Sequence, residues 1–225
     1  MLAFAAGCAS GSEKEGEPGE SASGRSQAEA VQESAETAGD KQSVSEAQYY
    51  KIDFADWFKS FEVTDLSGNQ VTEAIFQKAD VTLINIWGTF CGPCIDEMPA
   101  LGEIDRSYRA QADADGKVPF QIIGLVGDAI MADENGYPII NPEIQKTAED
   151  IASQTKADYV HLMPTGNFGL NVMGTGEIQY FPTSIFVDSE GTILKVNGSD
   201  ITVGGHNKAQ WESLIADVLA QEGAV

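Results

Sequence analysis

Positive charge is scarce in this chain. Only 13 of its 225 residues are Lys or Arg, against 35 Asp or Glu, and the formal net charge is −22. Such a surface repels phosphate backbones and anionic lipid head groups, so no nucleic-acid partner is expected. Cysteine is scarce too, and three are too few for a small disulfide scaffold. No run approaches the ~20 apolar residues that span a bilayer. What is present is a 42% apolar fraction, enough for a sizeable core. The length suits one large domain or two small ones.

The first third reads as an anchor and a tether. A short apolar run ends in Ala6-Gly7-Cys8, and small residues before a cysteine suit a signal-peptidase site. Residues 1–8 resemble the remnant of a bacterial lipoprotein signal, which would make Cys8 the lipidated residue. Residues 9–48 are rich in Ser, Gly, Ala and Glu, with Val31 and Val44 the only large aliphatics. Through residue 48 there are nine acids and three bases, a net of −6. Such a segment buries too little surface to offset its chain entropy, so it reads as an acidic disordered linker. Residues 27–38 have transient helical character without an apolar stripe to pin it.

Residues 49–225 read as one α/β domain. Tyr49, Ile52, Phe54, Trp57 and Phe58 supply an apolar leading edge. Phe61 to Asp65 alternates like a strand, Ser67-Gly68-Asn69 supplies a turn, and Val71 to Phe76 returns as an N-terminal β-hairpin. Val81 to Trp87 is a nearly continuous apolar run, the pattern of a strand buried on both faces. A helix follows to about Ala110, with Pro99 expected to kink it. Phe120–Val126 is a second buried strand, 146–157 is helical and Tyr159–Met163 a short strand. Thr183–Val187 and Thr192–Val196 flank the turn Asp188-Ser-Glu-Gly191. Asn207 and Gln210 form a variant capping box. Beyond them Trp211, Leu214, Ile215, Val218 and Leu219 share one helical face. This order predicts a central mixed β-sheet with helices on both faces.

One motif carries chemistry: Trp87-Gly-Thr-Phe-Cys91-Gly-Pro-Cys94. Two cysteines at i and i+3, after a buried strand and opening a helix, make a dithiol site. Free amides and the helix dipole favour a thiolate on the first cysteine. The second lies one turn in, close enough to attack a mixed disulfide. Pro93 suits the first helical turn, and Gly92 allows a substrate backbone to approach. Two other readings compete. A zinc half-site needs two more ligands, and the only histidines, His161 and His206, lack paired spacing, so no metal is expected. A purely structural disulfide closes a loop too short to restrain much of the unfolded chain.

The segment Ile86-Trp-Gly-Thr-Phe-Cys91-Gly-Pro-Cys94-Ile-Asp-Glu97-Met-Pro99 resembles the active-site region of the membrane-anchored TlpA/ResA-like thiol-disulfide oxidoreductases. The resemblance covers about residues 58–222 and implies a thioredoxin-like fold. Three features carry it: Glu97 followed by Met-Pro; Phe181-Pro182-Thr183 where the family has its cis-proline loop; and Asn85 where cytosolic thioredoxins carry a buried Asp. The chain departs from the family at Phe90, which replaces the usual Trp, and at Gly88-Thr89, which replaces the commoner Ala-Ser. Residues 128–145 read as an insertion.

The resemblance implies roles. Cys91 would attack and Cys94 resolve. Phe90, Gly92, Pro93, Phe181, Pro182 and Thr183 would meet the substrate strand, by β-augmentation if Pro182 is cis. Otherwise Pro182 is an ordinary trans proline before an edge strand. Glu97 would exchange protons with the dithiol; the plainer reading is a solvated helix acid. No cofactor is expected beyond the Cys91–Cys94 disulfide. The implied partners are protein disulfides, apocytochrome c cysteines among them, and a membrane thiol-electron donor. The protein would be a monomer on the extracytoplasmic face of a bacterial membrane, held by lipid on Cys8. A thiol peroxidase using Cys91, and a non-catalytic binding lipoprotein, are the alternatives.

Weaker signals have plainer readings. Asp133-Glu-Asn-Gly136 resembles part of a calcium loop but fits a polar turn. Asn197-Gly-Ser199 is a glycosylation sequon and, first, a turn. Gly174-Thr-Gly176 lacks the third glycine of a dinucleotide loop. His161 reads as structural.

Overall fold

The computed structural model describes residues 51–224. The expectations for residues 1–8, Cys8, the 9–48 linker and Tyr49 lie outside them. The strands are β1 Glu62–Asp65, β2 Gln70–Thr72, β3 Ala79–Trp87, β4 Val118–Val126, β5 Ile130–Ala132, β6 Pro138–Ile140, β7 Val160–Met163, β8 Thr183–Asp188, β9 Ile193–Leu194 and β10 Thr202–Val203. The helices are α1 Gly92–Arg109, α2 Pro142–Thr155, α3 Gly166–Gly174 and α4 Lys208–Glu222.

The long apolar run becomes β3, at the middle of a sheet ordered β10-β8-β3-β4-β7-β1-β2, with β9 also on β8. β4 runs parallel to β3, pairing Val81 with Phe120 and Trp87 with Val126. β8 runs antiparallel on the other side, pairing Asn85 with Ser184. The sheet is therefore mixed, as expected. Alternate residues feed two cores. Val81, Leu83, Phe120 and Ile122 pack with Met98, Leu101, Trp211 and Ile215 from α1 and α4. Ile84, Ile86, Ile123 and Ile185 pack with Trp57, Phe58, Phe76 and, from α3, Phe168 and Val172. Helices thus cover both faces, as the sequence predicts. Burying each of these side chains contributes roughly 1.5–3 kcal/mol, which is why β3 sits still under α1.

Turn chemistry repeats. Asp65, Asp113, Asp133 and Asp188 each accept the amides of residues i+2 and i+4. A glycine with positive φ stands at i+3 in each case: Gly68, Gly116, Gly136 and Gly191. These Asp-x-x-Gly turns account for part of the acidity, and Asp133 serves a turn. Asn197 and Gly198 both have positive φ, between mutually bonded Val196 and Ser199, so this sequon is a tight turn.

Several expectations need correction. The returning strand stops at Thr72, whose hydroxyl caps a 3₁₀ segment, Glu73–Lys78, that buries Ile75 and Phe76. The strand after Gly191 shrinks to Ile193–Leu194. Helix α2 starts at Pro142, capped by the Asn141 side chain. Residues 128–145, expected as an insertion, hold a hairpin, β5–β6, and the first turn of α2. Helix α3 is not expected from the sequence, which is glycine-rich there. Gly169 is required there, since a Cβ would meet the Pro164 carbonyl oxygen at 1.9 Å.

Candidate active site

Helix α1 begins at the dithiol. Cys91 is its N-cap residue, with φ −90° and ψ 97°, and Pro93 lies in its first turn. The Cys94 amide donates to Cys91 Sγ at 3.3 Å. The two sulfurs form a disulfide, with Cα atoms 5.3 Å apart. Cys91 is 6% exposed and Cys94 fully buried, while Gly92 and Pro93 stand in solvent. An approaching sulfur therefore meets Cys91 first.

Glu97 lies one turn beyond Cys94 and is 4% exposed, so it is not a solvated acid. Three donors converge on it. Asn85 Nδ2 donates to Oε1 at 2.9 Å, the His206 amide to Oε2 at 3.0 Å and Trp211 Nε1 to Oε2 at 3.2 Å. Burial nonetheless pushes the carboxyl above its usual range, and the three donors and nearby His206 only partly offset it. Asn85 Nδ2 also donates to Ser184 Oγ at 3.2 Å, whereas its buried Oδ1 has no partner. An amide turned over would present that oxygen to a protonated Glu97.

The rim comes from distant segments. The Phe181–Pro182 peptide is cis. Phe181 rests on two glycines: a Cβ on Gly88 would meet its ring at 3.2 Å, and one on Gly127 at 2.6 Å. Phe90, 73% exposed, tilts against Phe181 with centroids 5.9 Å apart. Pro182 and Thr183 are buried, and the Thr183 hydroxyl donates to the Tyr180 carbonyl at 2.7 Å. Thr183 thus has no side chain to offer a substrate. The Gly204 amide donates to the Pro182 carbonyl at 3.0 Å, bringing the loop before α4 against the proline.

Comparison with known proteins agrees with this chemistry. No family model matches the chain. The thiol-disulfide oxidoreductase ResA of Bacillus cereus is 24% identical over 159 residues, covering 71% of this chain and 75% of the relative. ResA of Bacillus anthracis is 26% identical over 161 residues, with the same coverages. A thioredoxin-family thiol:disulfide interchange protein from Chlorobium tepidum superposes with a TM-score of 0.51 at 18% identity. That overlap covers 72% of this chain and 94% of the neighbour. The chain is a thioredoxin-like thiol-disulfide oxidoreductase.

Sequence reasoning missed several supports of this oxidoreductase's dithiol. Asp128 accepts the Thr89 amide at 3.0 Å and the Thr89 hydroxyl at 2.6 Å, fixing the loop two residues before Cys91. Trp87 Nε1 donates to His161 Nδ1 at 3.2 Å, and His161 Nε2 lies 2.8 Å from the Ala157 carbonyl. The ring is therefore the Nε2–H tautomer, held neutral by burial, which drops its pKa to about 4. Trp211 and His206 lie more than a hundred residues from Glu97, so no local spacing could pair them with it. Among the described residues no group of side chains fits a metal ion.

Proposed function

We propose that the chain reduces disulfides of secreted or membrane polypeptides from the extracytoplasmic face of a bacterial membrane, tethered by lipid on Cys8. The observation that carries the reading is the difference between its two sulfurs, Cys91 opening to solvent at the helix N-terminus and Cys94 enclosed above a buried carboxyl. In the reduced protein the Cys91 thiolate attacks one sulfur of a substrate disulfide. A Cys91–substrate disulfide forms and one substrate thiolate leaves, taking a proton from water. Cys94 then passes its proton to Glu97 and attacks the Cys91 sulfur. The Cys91–Cys94 disulfide forms, the second substrate sulfur leaves, and Glu97 returns the proton to it. Two electrons have moved to the substrate, and a membrane dithiol carrier must replace them.

Asn85, Trp211 and the His206 amide are positioning groups in this scheme, since they orient the carboxyl. Phe90, Phe181 and Pro182 border the approach of the substrate chain, with Gly92 and Pro93 opposite.

The test is a full-length Cys94→Ser protein expressed in a bacterial cell. It should accumulate reducible adducts in the membrane fraction, because the mixed disulfide cannot resolve. Equal trapping by Cys91→Ser would reverse the assignment. Absence of adducts from both would remove the reductase reading, and adducts only in the cytosol would remove the location.

A further inference from the structure

Among the described residues five large apolar side chains stand in solvent: Phe90, Met131, Ile139, Tyr180 and Val203. Single exposed apolar residues are ordinary on a protein surface. These five share one end of the sheet. Phe90 precedes Cys91, Tyr180 precedes the Phe181–Pro182 pair, and Val203 pairs with Thr183. Met131 and Ile139 face each other across β5–β6. That hairpin leaves β4 through Asp128, the residue that holds Thr89.

The hairpin is built to present this pair. Its base is closed by the Asn141 amide, which donates to the Ala129 carbonyl at 2.7 Å. Its tip is the Asp133 turn. Pro138 is buried, and Ile130 lies against α3, where a Cβ on Gly169 would meet its Cδ1 at 3.7 Å. Period-two alternation then turns Met131 and Ile139 outward, 46% and 43% exposed. Neither side chain joins either core cluster. Apolar exposure gathered at the end of the sheet that carries a reactive site is the pattern of a contact surface, and a disulfide reductase must hold the chain that carries its substrate sulfur.

We propose that Met131 and Ile139, together with Phe90 and Tyr180, form the docking surface for the substrate segment flanking the attacked cysteine, and that this segment is apolar. The proposal deepens the reductase reading and rests on it. The substrate class is then an unfolded polypeptide disulfide in an apolar stretch, rather than a small polar disulfide. Phe90 and Tyr180 meet residues beside the cysteine, and the hairpin pair meets residues further along.

The test uses the full-length chain, reduced at Cys91 and Cys94, and two peptide disulfides. They differ only in the residues flanking the cysteine, Leu and Phe in one, Ser and Asn in the other. Both carry one Lys, because a net charge of −22 disfavours acidic ligands. Single-turnover rates should favour the apolar peptide about tenfold, the yield of covering one or two apolar side chains. In the Met131→Ser/Ile139→Ser double variant that ratio should fall to about threefold or less. A ratio taken within one protein sample is immune to loss of folded material. Equal rates in the unsubstituted chain, or an undiminished ratio in the variant, would overturn the docking surface while leaving the reductase reading intact. No reduction of either peptide would instead overturn the reductase reading.

Discussion

Replacing Glu97 by Gln separates the proton chemistry of this carboxyl from its packing. Two of the three donors, the His206 amide and Trp211 Nε1, converge on Oε2. A Gln oxygen placed there keeps both. The Gln amide then faces Asn85, whose unpartnered Oδ1 can turn to accept it. The substitution should therefore change stability at neutral pH by no more than about 1 kcal/mol. Glu97→Leu, by contrast, strands two buried donors and should cost about 2–6 kcal/mol. Both variants remove the carboxyl proposed to carry the proton. Loss of a positioned acid–base typically slows a step by about 10²–10⁴-fold. The assay starts from a mixed disulfide between Cys91 and a chromogenic aryl thiol, and follows thiol release as Cys94 attacks. In Glu97→Gln that release should slow by at least about a hundredfold. The variant should also lose a pH dependence. Because burial raises the folded carboxyl above 4.5, the folded state binds more protons than the unfolded one over that window. Stability therefore falls as pH rises from 4.5 through the folded value. The difference between wild-type and Gln stability curves isolates this slope from other groups. A well-folded Gln variant that resolves within about threefold of wild type would refute the proton role.

Two further predictions concern the support under the dithiol. The His161 ring should remain neutral and Nε2-protonated at pH 6 in nitrogen NMR spectra, since its folded pKa is about 4 against 6.5 for the free group. The unfolded chain gains that proton first, so this residue removes stability as pH falls from 6.5 to about 4, by about 3 kcal/mol in all. A cationic ring at pH 6 would refute the assignment. Gly124→Ala puts a Cβ 2.1 Å from His161 Nδ1, so it should cost about 3 kcal/mol in chemical denaturation and displace the ring from Trp87; an unaltered midpoint would refute that packing.

Legibility in the sequence followed the range of the interaction. The β3 run, the dithiol at a helix start and the Asn207–Gln210 capping box are local patterns, and each appears where the sequence puts it. Val71 to Phe76 is as apolar as a strand, so the 3₁₀ segment after Thr72 is hidden in the sequence. Only the Thr72 hydroxyl, which caps Ala74, tells the two apart. Helix α3 is hidden because its glycines are poor helix formers, while its need for Gly169 arises from the Pro164 carbonyl, a tertiary fact. The same limit applies at the site. Cys91 and Cys94 are readable as a spacing at a helix start, and Glu97 stands out through the resemblance. Trp211 reads only as a core residue on the face of α4, and its indole N–H bond to Glu97 joins residues 114 apart.

Those long-range bonds bear on how the acid is held. The strand position that resembles the buried Asp of cytosolic thioredoxins is Asn85, which carries no charge, and the ionisable group stands on α1 instead. An acid on the central strand is fixed by the sheet. Glu97 is a longer side chain on a helix, and its orientation depends on what meets it from outside that helix. Here the sheet supplies one donor, Asn85, while the segment His206–Trp211 supplies the other two. Gly205 eases this approach, since a Cβ there would lie a tight 3.3 Å from the Pro93 carbonyl oxygen. Just before that segment stands Gly204, whose amide holds the Pro182 carbonyl. One short loop thus bonds the cis proline's carbonyl, lies close to the Pro93 carbonyl between the cysteines, and donates to the Glu97 carboxyl. The amide that holds the Pro182 carbonyl and the amide that donates to Glu97 Oε2 are thus only two residues apart on one backbone, Gly204 and His206, so the same turn of chain fixes both the proline and the carboxyl.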